Sequence, residues 1–143
     1  MTKTTKIRIL IADDFKVLRD VISRYLEQAG DMEVIGEAPA LDDALELTLK
    51  LQPDVIIMND YLPPMNSAHA TVFFRQKGIS VPILAITMKI DSDVIQHAVR
   101  HGVNGFMHKD EMGDHLISAI RLIYGGERFF SPKVRESYGS IPK

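Results

Sequence analysis

Five short, almost wholly apolar runs punctuate this sequence, and amphipathic segments separate them. The runs are Ile7–Ala12, Met32–Ala38, Val55–Met58, Val81–Ile86 and Gly105–His108. They are too short for buried helices and rich in β-branched residues. Such runs suit strands covered on both faces of a parallel sheet. Between the first two, Val17, Leu18, Val21, Ile22, Tyr25 and Leu26 recur at helical spacing, which makes a one-sided apolar stripe. Comparable stripes over 41–51, 91–101 and 112–124 predict further helices, and 65–76 carries a weaker helical pattern. Asp14 reads as a cap for the first helix, and Asp91 or Ser92 for the fourth. Gly30, Gly78, Gly102 and Gly125–Gly126 stand where helices should stop.

Strands alternating with helices imply right-handed crossovers. The predicted fold class is therefore α/β, a flavodoxin-like (βα)5 doubly wound parallel sheet with strand order 2-1-3-4-5. Its switch point falls between strands one and three, and ligands of such sheets gather at the carboxyl ends of the strands.

Composition narrows the function classes. The 143 residues are 45% hydrophobic and 25% charged, the profile of one globular domain. There is no cysteine, which excludes disulfides, zinc–thiolate sites and a cysteine nucleophile, and fits a reducing, cytoplasmic compartment. A net charge of -2 argues against bulk nucleic-acid binding by this domain alone. The polar N-terminus lacks the apolar core of a signal peptide, and no run approaches the ~18 apolar residues of a membrane span.

Polar residues end four of the strands. Strand one delivers Asp13 and Asp14, strand three Asn59 and Asp60, strand four Thr87, and strand five Lys109. Adjacent carboxylates make a hard-oxygen site suited to Mg²⁺. A lysine supplies a compact cation for a phosphoryl oxygen, and a hydroxyl supplies a hydrogen bond. Each group also has a plainer reading: a helix entry for Asp13–Asp14, a strand-end hydroxyl for Thr87, a solvated lysine for Lys109.

The set, with its surroundings, resembles the receiver domain of two-component response regulators. The motifs that carry the resemblance are Ile-Arg-Ile-Leu-Ile-Ala-Asp-Asp, Pro-Asp-Val-Ile-Ile-Met, Leu-Pro-Pro-Met, Ile-Thr and Gly-Phe-Met-His-Lys-Asp. Together they cover about residues 6–135. The segment from Ala119 to Val134 is similar to the end of NarL/FixJ-type receivers, which usually continue into a LuxR-type helix-turn-helix. The resemblance implies a receiver over 1–128 and a tail or linker over 129–143, which either led to such a DNA-binding output domain or ends a stand-alone receiver. It implies a histidine kinase as partner, a homodimer through receiver surfaces, and contact with DNA only through a domain this chain does not contain. It implies Thr87 and Lys109 in a phosphoryl pocket and Phe106 as the aromatic that moves inward with the threonine. It also implies a Mg²⁺ site built from Asp13, Asp14, the acceptor residue and the backbone carbonyl of Tyr61.

One departure outweighs the others. The family's acceptor aspartate stands four residues before a proline, and four residues before Pro63 is Asn59. A carboxamide is not a useful nucleophile, and it removes one of three carboxylates from the metal. A unit charge at ~4 Å is worth roughly 4 kcal/mol gross at an effective dielectric of ~20. The expectation is a receiver without the usual phosphorylation and with a weak Mg²⁺ site. Asn66–Ser67 and Leu41 depart as well, at places where the family often has glycine.

Two rival readings remain at this stage. In one, Asp60 replaces the acceptor. Because side chains alternate along a strand, that requires a bulge before Pro63. In the other, the chain is a flavodoxin-fold binder or hydrolase of small phosphorylated ligands, although Asp-Asp-Phe-Lys after strand one is no glycine-rich phosphate loop. His97 and His101, four apart on a helix, have a metal-binding spacing but no third ligand in sight. Met58, Met65, Met88 and Met107 read as core filling.

Overall fold

The structure is a computed structural model that describes residues 5–138. Of the tail expected over 129–143, residues 139–143 lie outside the described residues. The chain runs β1 (Ile7–Ala12), α1 (Lys16–Ala29), β2 (Met32–Ala38), α2 (Leu41–Leu51), β3 (Val55–Asn59), β4 (Tyr61–Leu62), β5 (Met65–Asn66), α3 (Ser67–Gln76), β6 (Ile83–Thr87), α4 (Ser92–Arg100), β7 (Gly105–His108), α5 (Met112–Tyr124), β8 (Phe129–Phe130) and α6 (Pro132–Tyr138). A 3-10 turn over Lys109–Glu111 joins β7 to α5.

The main sheet has the order β2-β1-β3-β6-β7-β8, parallel throughout. Counting only the five strands read from the sequence, this is 2-1-3-4-5. Apart from Arg8 and Asn59, β1 and β3 are apolar, because helices cover both faces of the sheet. On one face, Ile9, Ile11, Ile57, Leu84 and Ile86 pack against Leu18, Ile22 and Leu26 of α1 and Leu116, Ile120 and Ile123 of α5. On the other, Leu10, Ile56 and Met58 meet Leu41 and Ala44 of α2 and Ala70 and Phe74 of α3. Ala85 and Phe106 meet Ile95, Ala98 and Val99 of α4. Each large aliphatic side chain buried this way contributes about 1.5–3 kcal/mol.

Several local expectations are corrected. The first helix starts at Lys16, and the acid that serves its entry is Asp13, not Asp14. Asp13 Oδ1 accepts the Phe15 amide at 2.7 Å, while Asp14 is exposed. The third helix starts at Ser67 instead of Met65. Asn66 caps it by accepting the His69 amide at 2.9 Å, and the residues before it form the small antiparallel pair β4–β5 around Pro63–Pro64. Val81 and Pro82 stay outside β6. Met88 is exposed instead of filling the core, because it lies beyond β6 in the loop to α4.

The packed body also continues past residue 128. Phe129–Phe130 adds a sixth strand beside β7, and Val134 of α6 is buried with Phe106 and Val99. Gly105 makes this possible. A Cβ there would lie 2.9 Å from the Phe129 carbonyl oxygen and 2.6 Å from Ile123 Cδ1. Glu111 reinforces the join, since one carboxylate oxygen accepts the Lys133 amide at 3.1 Å at the start of α6 and the other accepts the His108 amide at 3.3 Å.

Candidate functional site

The parallel register brings the predicted strand ends to one edge of the sheet. Ala12 is opposite Met58, so Asp13 follows β1 where Asn59 ends β3. Asn59 is in turn opposite Ile86, and Thr87 is opposite His108. Lys109 follows at once. Asp13, Asn59, Thr87 and Lys109 thus lie along the carboxyl edge of four neighbouring strands, with Asp14 exposed beside Asp13.

Asp13 is almost wholly buried at 2% exposure. Burial raises its pKa, and the Asp14 charge adds to this. The Phe15 amide, the Arg19 guanidinium and the Asn59 side chain pull the other way. Asn59 is therefore close enough to steady the ionised carboxylate, as a neutral donor would, and does not repel it as a third acid would. Arg19, which the sequence did not single out, donates from Nη1 to the Asp13 carbonyl at 2.6 Å and from Nε to Glu37 at 2.9 Å. Its lever is one helical turn beyond the strand end, a distance no motif marks.

Asp60 faces elsewhere. β3 pairs with β1 up to Met58 and with β6 up to Asn59 without a shift of register, so alternation carries Asp60 to the face opposite Asn59. Its carboxylate accepts the Ser67 hydroxyl at 2.8 Å at the start of α3, and its carbonyl accepts the Ser67 amide at 2.6 Å. Burial raises its pKa, the Ser67 bond lowers it, and Asp91 raises it further. Alternation along the strand is the physical reason. Asn59 belongs to the face of α1 and α5, and Asp60 to the face of α3.

Thr87 is buried, and its hydroxyl is engaged by the loop after β6: it donates to the Lys89 carbonyl at 2.8 Å and accepts the Lys89 amide at 3.2 Å. His108 braces the same loop. Its Nδ1 accepts the Asp110 amide at 3.0 Å, so a neutral ring carries its proton on Nε2, 3.0 Å from the Met88 carbonyl. Phe106 has no exposed surface and is enclosed by α4 and α6. Among the described residues Lys109 has no ion-pair partner. Tyr61 is exposed in β4.

The donor set suits a hard cation in kind. Two carboxylates, a carboxamide and a backbone carbonyl are all oxygen ligands. It falls short in charge by the carboxylate that Asn59 lacks. Mg²⁺ held there would draw on Asp13 and Asp14 for charge and would supply electrostatic stabilisation to an incoming phosphoryl oxygen.

Residues 9–121 match the response regulator receiver domain. This chain belongs to that family. The receiver is 35% identical over 131 residues to the oxygen regulatory protein NreC of Staphylococcus carnosus, covering 91% of this chain and 60% of that one. It is 31% identical over 129 residues to the transcriptional regulatory protein DegU of Brevibacillus brevis, covering 90% and 55%. Among solved structures it matches a LuxR-family two-component response regulator from Aurantimonas sp. SI85-9A1 with a TM-score of 0.88 at 28% identity, covering 94% of this chain and 96% of that one. The receiver thus spans between half and two thirds of the length of NreC and DegU. Among the described residues no helix is long and apolar enough to cross a membrane.

Proposed function

We propose that this receiver signals without phosphorylation at its third strand, because Asn59 stands at the acceptor position. The observation that carries the reading is the identity and aim of one residue. At the end of β3, on the side of the sheet facing Asp13, there is a carboxamide. The carboxylate one residue later is turned to Ser67. An amide oxygen is a poor nucleophile toward phosphorus.

The rest of the pocket keeps its parts. Asp13 and Asp14 remain as a Mg²⁺ site of reduced affinity, and Thr87 and Lys109 remain where a phosphoryl group would need a hydroxyl and a cation. Output in this reading passes through surfaces: a histidine kinase as docking partner, a second copy of this chain, and control of transcription through a DNA-binding domain, attached or separate. The relatives' names support the transcriptional role.

The test is intact-protein mass spectrometry after incubation with Mg²⁺ and acetyl phosphate, with Asn59→Asp alongside. The expected result is no phosphoryl adduct on the native chain and one on the variant. An adduct on the native chain that disappears in Asp60→Ala would overturn the reading in favour of Asp60. If neither chain gains mass, the pocket has lost more than its nucleophile.

A further inference from the structure

Three segments meet at His108: the loop after β6, the 3-10 turn before α5, and the start of α6. Only 14% of the His108 side chain is exposed. In the neutral ring both nitrogens are used. Nε2 donates to the Met88 carbonyl at 3.0 Å, and Nδ1 accepts the Asp110 amide at 3.0 Å. The His108 amide donates to Glu111 Oε1 at 3.3 Å, and Glu111 Oε2 accepts the Lys133 amide at 3.1 Å. A continuous chain of hydrogen bonds thus runs from the loop beyond Thr87 to α6.

We propose that His108 is a proton-operated latch: its neutral ring holds α6 against the receiver, and its protonation releases α6. A neutral imidazole has one donor and one acceptor, whereas imidazolium has two donors and no acceptor. The bond from Nε2 to Met88 survives protonation. The bond at Nδ1 does not, because two N–H groups would then face each other. That bond caps the 3-10 turn, and the turn carries Glu111, which aims at the Lys133 amide. The new proton has an acceptor in the Asp110 carboxylate, whose Oδ2 lies 3.6 Å from Nδ1. The same oxygen lies 3.8 Å from Nζ of Lys133. Imidazolium and ammonium then compete for one carboxylate oxygen, at the point where α6 begins.

Other charges meet here as well. The turn itself bears Lys109, Asp110 and Glu111. The loop after β6 bears Lys89, and beyond it Asp91 is committed to capping α4. From α6 comes Lys133, while Arg135 donates to the Phe130 carbonyl at 2.7 Å. From α5, His115 acts on Glu111 through its charge.

The readout falls on α6 because little else holds it. A helix of seven residues does not persist alone in water, and among its described side chains only Val134 is buried. Val134 packs with Phe106 and Val99, so release of α6 uncovers that end of the core. Histidine changes charge between about pH 5 and 8, which makes the proton an input near neutrality. The latch operates whether or not residue 59 accepts a phosphoryl group.

The test is amide hydrogen exchange between about pH 5.5 and 7.5, corrected for intrinsic exchange and read beside imidazole ¹H–¹⁵N spectra. Corrected exchange at Lys133 and Arg135 is expected to be roughly fivefold faster at the acid end, as loss of one hydrogen bond implies. It should follow the titration of the His108 ring. His108→Asn puts a carboxamide oxygen in place of Nδ1 and cannot take up a proton, so protection of α6 should become independent of pH. His108→Gln, whose amide nitrogen replaces Nε2, is a second replacement that does not titrate. His115→Gln should leave the native response intact. Protection of α6 that is flat with pH in the native chain would overturn the proposal. So would a response that persists in either His108 variant, one that vanishes in His115→Gln, or one whose midpoint follows His69, His97 or His101.

Discussion

The hydroxyl of Ser67 donates a 2.8 Å hydrogen bond to the carboxylate of Asp60. That bond ties the residue after β3 to the first turn of α3 and away from Asp13. Alternation along β3 puts Asp60 on the face of α3, opposite to that of Asn59, and the bond holds it there.

The Asp60 carboxylate is held above its usual pKa, chiefly by burial, with Asp91 adding to the effect and Ser67 opposing it. A raised folded pKa means that the folded state binds the proton more tightly than the unfolded chain. The stability linked to that proton is therefore fully present below the unfolded value near 4 and is lost as pH rises through the raised folded pKa. Asp60→Asn keeps an acceptor for Ser67 and removes the buried charge. The variant is expected to melt higher than the native chain at pH 7 and to converge with it near pH 3, measured by thermal unfolding across that range. A lower melting temperature at pH 7 would mean that the carboxylate is needed as a charge.

Phe106 sits with no exposed surface between α4 and α6. Phe106→Ala should cost about 3–5 kcal/mol in urea unfolding, the usual range for deleting a buried phenyl ring. Phe106→Tyr introduces a hydroxyl with no partner in that apolar site, at a cost of roughly 1–3 kcal/mol if it stays inside. A near-neutral Tyr variant would show that the ring can swing outward, as the family resemblance implies for this position.

Gly105 lets β7 and β8 approach. Its missing Cβ would meet a backbone carbonyl, that of Phe129, which cannot yield as a flexible side chain can. Gly105→Ala is expected to destabilise by about 1–3 kcal/mol, as overpacking does. Faster amide exchange at Phe129–Ser131 than in the rest of the sheet would locate the damage at β8.

Glu111 holds α6 through the Lys133 amide. Burial alone would raise its pKa, but Ser131, the amides of Lys133 and His108, and the charge of His115 outweigh it and lower the value. The resulting stability is present above the unfolded pKa near 4.5 and is lost as pH falls through the depressed folded value. Glu111→Ala should cost about 0.5–2 kcal/mol, the range for loss of a helix cap. Hydrogen exchange in α6 should rise in the variant at pH 7, and native and variant should converge in acid. Unchanged protection of α6 would show that Phe130 and Val134 suffice to hold it.

Most of the strand-end site was legible because it depends on local pattern. An apolar run such as Val55–Met58 ends where Asn59 begins, and parallel order then places that end beside Asp13. Asp60 was readable too, since alternation along a strand is a two-residue rule. The cap at Asp14 was misread because two adjacent acids offer the same signal, and only the backbone turn at Phe15 selects Asp13. The sixth strand was missed for a different reason. Phe129–Phe130 is two residues long and has no periodicity to detect.

Short-range chemistry was thus carried in the order of residues: the strand–helix alternation, the carboxamide at position 59, and the polar ends of four strands. Packing between distant segments was decided by the folded chain. His69 is 28 positions from His97, and nothing in either neighbourhood announces the other until α3 lies against α4. The same holds for Glu111 and Lys133, and for Gly105 and Phe129. Periodicity states which face of an element is buried. It does not state which residue of another element will lie opposite, because that depends on registers fixed only when the whole core closes.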